Sequence, residues 1–363
     1  MFGQEEGDVE VASKHEVTQF ADGRKDIAIY IQNHAQDKIF QPVVCEGVRV
    51  SWEIRGMPGK LTFNVLKDNI IDFTEGNAVM LKVNGENVFL GYVFTKSRNK
   101  DGMISVTAYD QLRYLKNKDV LTYENETASN VLQTLADKFK LKTGVIDDTE
   151  YQIPKRHESN VTLFDMIQTA LDLTFESKKK GEGKKYVLYD NFGELTLRNI
   201  ESKDLRLPLL IDSETAEDYD YESSIDGETF NRVKLFHDNQ GEGERKVYIA
   251  QDTETQKEWG VLQYCESLND RETKTPEEKA QNLLEEYNRK KRSLRINKAF
   301  GDIRLRAGFS VNVQLHLGDI LVNTEMVVES VVHVFEDNYH TMDLVLDGNL
   351  LEGKKNEQKG DAK

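Results

Sequence analysis

Apolar and polar residues alternate through most of residues 301–348, GDIRLRAGFSVNVQLHLGDILVNTEMVVESVVHVFEDNYHTMDLVLDG. Val311, Val313 and Leu315 form one run; Met326, Val328, Val332 and Val334 a second; Met342, Leu344 and Leu346 a third. A period of two predicts strands with one buried face. Gly308, Gly318 and the Glu336-Asp337-Asn338 cluster fall where the runs break, which is turn chemistry. The same layout occurs once earlier, in residues 76–110. Strands are expected at 78–83, 88–95 and 104–108, with breaks at Gly85 and 99–102. Both stretches run Gly, strand, Gly, long strand, polar turn, strand, and close on an Asp, Asp110 or Asp347. The apolar-polar order agrees better than the residue identities do. The expectation is an internal duplication giving two similar small β-barrels or sandwiches; the competing reading is two unrelated antiparallel meanders.

Around these repeats the pattern divides the chain. Strands at 26–32, 43–54 and 61–68, with a turn at 56–59, complete a first β domain over residues 1–116, preceded by a loosely attached arm. The period then changes. Ala128, Val131, Leu132, Leu135 and Phe139 lie on one helical face with Thr127 as N-cap. A second helix is expected at 162–173, where Thr162 and Asp165 make a capping box weakened by Asp in place of Glu. A solvated loop at 178–183 and a hairpin turning at 190–193 complete a small α/β domain over 117–205. Residues 205–214 read as a connector. The strand ETFNRVKLFH, 228–237, is expected to open a second barrel built from 206–248 and 299–350, with a Gly/Glu loop at 240–245. Strand-like pieces are expected at 246–249 and 259–265, and an insertion, 249–298, with a helix at 276–292 lies between the barrel's parts. Thr275 would cap that helix, Pro276 would occupy its first turn, and Glu277 and Glu278 would face the positive dipole end. Arg289, Lys290, Lys291 and Arg292 form the densest basic cluster and could serve nucleic acid; helix-dipole matching already accounts for their sign and position. Residues 351–363 read as a disordered polar tail. The fold class is mainly β with α+β insertions.

A chain of 363 residues with net charge −16 is a strongly acidic protein. That argues against duplex DNA or anionic membrane as the main ligand, since both require a positive face. No apolar run approaches the roughly 20 residues that span a bilayer. The acidic N-terminus lacks the apolar segment of a secretion signal. Cys45 and Cys265 sit in apolar-looking segments and are expected to be separate buried thiols of a protein folded in a cytoplasm. His333 and His340 flank the last turn and could face each other as a two-ligand metal site, with Asp337 as the nearby third ligand. The blander reading makes them half-buried strand histidines. HExxH, GxSxG, GxxxxGK[ST] and GxGxxG motifs are all missing, and Asp147-Asp148 sits in a polar turn. Catalytic, cofactor-binding and metal residues are therefore each expected to be none, with no cofactor, and the pattern favours a structural protein over an enzyme.

Several segments carry a family resemblance: AYDQLRYLKNKDV (108–120), GVIDDTEYQIP (144–154), NVTLFDMIQTALDLT (160–174), KYVLYDNFGELTLRN (185–199), SSIDGETFNRVKL (223–235), WGVLQYCESL (259–268), AFGDIRLRAGFSV (299–311) and HTMDLVL (340–346). In this order they resemble the XkdQ-like branch of the late-control protein D family, the baseplate hub proteins of contractile phage tails and phage-tail-like bacteriocins. That branch is related in fold to the spike-base part of type VI secretion proteins. The resemblance covers most of residues 40–348. It implies two barrels like tail-tube subunits, a small α/β domain after the first, and a helix-containing insertion within the second. It further implies a homotrimer whose six barrels make a pseudo-sixfold ring, a structural adaptor between a hexameric tail tube, or its initiator, and a trimeric central spike. Wedge and tape-measure proteins would be its other partners. DNA would be only passing cargo, and only in an infectious phage; an acidic ring lumen would suit that passage. The place implied is the baseplate of a virion or tail-like particle after synthesis in the host cytoplasm. The rival function is a peptidoglycan hydrolase acting during tail penetration, which would need two carboxylates or a metal triad converging in a cleft.

Overall fold

The computed structural model describes residues 24–350 except 34, 36–37, 55, 68–70, 178–182, 238–245, 269–274 and 318–319. The expected arm before residue 24, the loop at 178–182, the loop at 240–245, the break at Gly318 and the tail at 351–363 lie outside the described residues. The first β half comprises β1 (Ile27–Asn33), β2 (Lys38–Phe40), β3 (Val44–Glu53), β4 (Lys60–Leu66), β5 (Ala78–Val83), β6 (Glu86–Arg98) and β7 (Met103–Tyr109). A small unit follows, with β8 (Lys118–Tyr123), α1 (Ala128–Lys138), β9 (Thr143–Ile146), β10 (Arg156–Thr162), α2 (Leu163–Ser177), β11 (Tyr186–Asp190) and β12 (Leu195–Asn199). Next come β13 (Arg206–Ile211) and β14 (Asp218–Ser224), then β15 (Arg232–His237), β16 (Val247–Gln251), α3 (Thr253–Trp259), β17 (Gln263–Leu268) and α4 (Pro276–Tyr287). The chain closes with β18 (Lys291–Phe300), β19 (Ser310–Leu317), β20 (Ile320–Glu336) and β21 (Tyr339–Asp347).

The two halves share one strand order. In the first it is β3-β4-β7-β6-β5; in the second it is β14-β18-β21-β20-β19. Correspondence extends to single hydrogen bonds. Gly76 N–H donates to Val93 O at 2.7 Å and Val93 N–H to Asn77 O at 2.9 Å. Gly308 N–H donates to Val328 O at 2.8 Å and Val328 N–H to Phe309 O at 2.8 Å. Both glycines take positive φ, +86° and +87°, a conformation that a Cβ disfavours. One residue later each long strand bulges, at Phe94 between the pairs Val93–Ala108 and Thr95–Thr107, and at Glu329 between Val328–Leu346 and Ser330–Val345. Matching turn, bulge and order support duplication over two unrelated meanders. One correction follows: Tyr109 pairs with Lys60 as Asp347 pairs with Ser293, so Asp347 corresponds to Tyr109 and not to Asp110.

A single apolar core runs through both halves, including Val50, Trp52, Leu61 and Phe63 of the first and Leu294, Val331, Phe335 and Leu346 of the second. The small unit has its own core, in which α1 and α2 pack Leu132, Leu135, Met166 and Ile167 with Leu195 and Leu197. Thr127 accepts from Asn130 N–H as the N-cap of α1. The box at Thr162 is reciprocal: Asp165 N–H donates to Thr162 Oγ1 at 3.1 Å and Thr162 N–H to Asp165 Oδ2 at 3.3 Å.

The second half departs from expectation in three places. The strand in 228–237, read as the opening of the second barrel, is β15; it pairs with β16 and β17 in a separate three-stranded sheet covered by α4. That sheet therefore takes residues through β16 out of the second barrel, whose leading strands are β13 and β14, in the stretch 205–224 that held the connector. Second, α4 stops at Tyr287 rather than Arg292, and Thr275 makes no side-chain capping bond. Lys291 and Arg292 open β18, so the basic cluster lies at a turn and a strand start, where helix-dipole matching does not explain it. Third, the thiols are free but not both buried: Cys265 is exposed and Cys45 half-buried, because Cys265 sits on the outer face of β17.

Candidate functional site

The halves meet by strand pairing. β20 outruns β19, and its C-terminal part pairs antiparallel with β3, from Ser330 opposite Glu53 to Phe335 opposite Val48. Ile54 N–H extends the ladder to Glu329 O at 2.9 Å. Behind this seam sits a polar cluster drawn from three parts of the chain. The guanidinium of Arg306, in the loop before β19, is buried although the residue keeps some exposure. It donates to Asp190 O at 2.7 Å, at the end of β11, and to Val88 O at 2.8 Å, in β6. It also lies 4.8 Å from the ring centre of Trp52, a cation–π contact. Asp110 is fully buried; its Oδ2 accepts from Gly59 N–H at 2.8 Å and its Oδ1 from Leu112 N–H at 3.1 Å.

Burial dominates the electrostatics here. It pushes the Asp190 carboxyl up to about 6, against the pull of the Gly193 N–H and of Arg306. Burial, then the neighbouring Asp190, raises Asp110 well above the usual carboxylate range. Two buried carboxyls held up together are a pattern that hydrolytic sites also use. These two, however, are closed in by backbone donors at the seam and line none of the described cavities. The bridging group is Arg306, which clamps the second half to the small unit through Asp190 O and to the first half through Val88 O, with the two carboxyls packed around it.

The histidine pair sits beside this clamp. His333 Nδ1 and His340 Nε2 are 2.8 Å apart, and His333 Nε2 lies 2.9 Å from Leu305 O. Burial lowers His333 to about 4 and His340 to about 3. The rings do face each other, but the proton between them occupies the position a shared metal would need. Asp337 lies in the exposed turn, and the described residues contain no group of three or more potential metal ligands. Asp147 instead accepts from Asn199 N–H at 2.8 Å and pairs with Arg198, closing the β12 end of the small unit. Sequence reasoning did not single out Arg306, Trp52 or Asp190, since each gains its role only by long-range contact.

On its other side the seam opens onto one broad sheet face spanning β14-β18-β21-β20-β3-β4-β7-β6. Five adjacent strands, β14 to β3, contribute to a single groove of about 610 Å³ at the end of the face where β14 and β3 finish and β18 begins. Its outward positions are largely short and polar: Ser51, Thr62, Asn64, Ser105, Thr107, Ser293, Ser330 and Thr341. Asp218, Asp220, Glu222, Glu53, Asp343 and Asp347 outnumber Arg49, Lys60, Lys291 and Arg295 on it. One edge of this face is open. β14 pairs with β18 and has no second strand partner among the described residues. At the opposite edge, the end of β6 pairs with β7 over 95–98 and with no other described strand. No described helix is long and apolar enough to cross a membrane.

A model of the YqbQ-like family matches residues 48–347. The Bacillus subtilis protein YqbQ is 28% identical over 310 residues, which cover 83% of this chain and 91% of that protein. Protein XkdQ of the phage-like element PBSX, from the same bacterium, is 29% identical over 287 residues, covering 77% and 84%. Among solved structures, the 43 kDa tail protein of prophage MuSo2 from Shewanella oneidensis superposes with a TM-score of 0.66. Its identity is 14%, with 88% of this chain and 98% of that one covered. The fold is therefore shared with a phage tail protein.

Proposed function

We propose that this chain, which belongs to the YqbQ-like family, is a structural hub of a contractile tail, three copies of which close into a ring between tail tube and central spike. One observation carries the reading: the β3 edge is already paired with the long strand of the other half, whereas the corresponding β14 edge is open. Glu222 lies opposite Ser293 as Ser51 lies opposite Lys60, which equates Ser51 with Glu222 and Ile54 with Ile225. The bulges equate Ser330 with Thr95 and Val332 with Ser97.

Repeating the internal seam between chains pairs the end of β6 with β14 of the next copy. Thr95 then meets Ser224, Ser97 meets Glu222 and Arg98 meets Tyr221. Charge helps only at long range: Lys96, Arg98 and Lys100 approach a strand bearing Asp218, Asp220 and Glu222, but in this register the two sets project from opposite faces of the sheet. A strand that closes on its neighbour also removes an exposed edge. With two such seams per chain, a threefold ring becomes pseudo-sixfold, and so matches both a hexameric and a trimeric partner.

Eight strands from each chain would build a wall of about 24 strands. At ~4.8 Å spacing that wall is roughly 37 Å across before tilt widens it. The mostly uncharged-to-acidic face would line the bore, a surface on which a nucleic-acid or peptide cargo finds few cations to hold it. Tape-measure and wedge proteins are further partners on this reading, and the parent particle's baseplate is its location. The role is structural; the buried Asp110–Asp190 pair gives the hydrolase reading no support.

The register is testable by disulfide trapping in the assembled particle. Ser97→Cys with Glu222→Cys places two thiols in a directly opposed cross-strand pair, within the Cα separation of about 4.4–6.8 Å that a disulfide accepts. Mild oxidation should give a covalent trimer on a non-reducing gel, while Ser97→Cys with Asp218→Cys, four residues out of register, should not. A monomer band from the in-register pair in intact particles would refute the seam.

A further inference from the structure

In that ring the two ends of the wall differ in symmetry, and the difference assigns each end a partner. At one end lie the β6–β7 and β20–β21 turns and the last residues of β4 and β18. Here the halves still correspond: Lys67 N–H donates to Gly102 O at 3.1 Å, and Gly301 N–H to His340 O at 3.0 Å. Leu66 faces Met103 as Phe300 faces Thr341, which makes Leu66 and Phe300 equivalent. Both are apolar and bare, 54% and 69% exposed, and Tyr339 adds a further 52%-exposed ring beside the second turn.

At the opposite end the correspondence fails. β3 ends there at Glu53 and β4 begins at Lys60, whereas β14 and β18 are separated by the whole three-stranded sheet with α3 and α4. The small unit also leaves the wall at this end, after β7. Three chains would thus present a threefold surface here and six near-identical apolar points at the other end.

We propose that the end bearing Leu66 and Phe300 docks the sixfold tail tube, each tube subunit covering one of these side chains, and that the end carrying the insertions faces the spike. This rests on the ring reading. An exposed Phe or Leu repeated at equivalent positions suits a partner that offers the same apolar recess six times, because one recess must accept both residues. A threefold partner would have no use for the repetition.

The test uses the intact particle carrying a photo-reactive benzophenone amino acid in place of Phe300 in one preparation and of Leu66 in another. Both sites are exposed, so folding is not at stake. Irradiation should cross-link both positions to the tube-side ring protein, identified by peptide mass spectrometry. Met57, 43% exposed in the turn at the opposite end, should give no tube cross-link. In a second readout, Leu66→Asp with Phe300→Asp should reduce the number of hubs bearing a tube by about tenfold or more while leaving the Ser97–Glu222 disulfide intact. Cross-links from Phe300 or Leu66 to the spike, to another hub copy, or to nothing would overturn the assignment. Loss of the covalent trimer itself would instead sink the ring reading.

Discussion

Replacing Arg306 with Met tests whether the clamp holds the halves together. Met keeps much of the aliphatic stem but removes the bonds to Asp190 O and Val88 O. Each charge-assisted bond of this kind contributes about 1.5–3 kcal/mol net. The substitution also removes the cation that holds down the carboxyl of Asp190, and one of the influences that lower Asp110. Asp190 titrates near 6 in the folded protein against about 3.9 unfolded, so the folded state takes up a proton as pH falls through that interval. Above it, the buried carboxylate opposes folding. Without Arg306 its pKa rises further and the opposition at neutral pH grows. Stability should therefore fall at pH 8 by more than the about 3–6 kcal/mol of the two bonds, because the buried Asp190 carboxylate also loses its neighbouring cation. At pH 5, with Asp190 protonated, the loss should shrink toward the about 3–6 kcal/mol of the two bonds alone. Easing of His333, whose pKa Arg306 also depresses, acts in the same direction. Urea unfolding followed by fluorescence is a direct assay, since Trp52 lies under the guanidinium and Trp259→Phe would leave it as the sole tryptophan. A loss below 1 kcal/mol at both pH values, or a larger loss at pH 5, would refute the clamp.

Other outcomes follow from the same contacts. His333 and His340 have folded pKa values near 4 and near 3, below the unfolded 6.5, so their neutral pair contributes stability that is complete above pH 6.5 and declines as pH falls toward 3. Replacing His340 with Phe should flatten the acid limb of a stability-versus-pH curve measured by Trp52 fluorescence; an unchanged slope would contradict the pairing. Gly76→Ala and Gly308→Ala both force a Cβ into positive φ, at a cost of about 1 kcal/mol. Because the new Cβ at Gly308 would also strike Val187 while that at Gly76 meets open space, Gly308→Ala should lower Tm further; equal losses would count against the packing. A thiol reagent should modify exposed Cys265 within the mixing time and half-buried Cys45 more slowly, whereas one fast phase of two thiols would place Cys45 at the surface.

The parts of this fold that are legible in the sequence are those whose determinants are local. The meanders β5–β7 and β19–β21 could be read because alternation and turn residues coincide, and α1 and α2 because Thr127 and Thr162 announce them. β14 escaped because DYDYESS places Asp, Glu and half-buried Tyr in alternation with no strongly apolar face. β18 escaped because its basic start looked like a helix end, although Leu294, Ile296 and Ala299 point inward with a bulge before Ala299. β15 was assigned to the wrong sheet: its pattern marks a strand, but the choice of partner rests on β17 and α4, distant in sequence. The seam itself was not legible. Arg306, Trp52, Asp110 and Asp190 come from separate parts of the chain, and the open β14 edge becomes visible only when β3 is seen paired.

The most direct test of the account is the mass of the chain by light scattering, alone and with its spike protein, with electron-microscope images of the same samples. The account predicts a particle holding three times the 41.7 kDa chain, seen end-on as an open ring with six lobes. A single 41.7 kDa chain in both samples, or a ring of any other copy number, would contradict it.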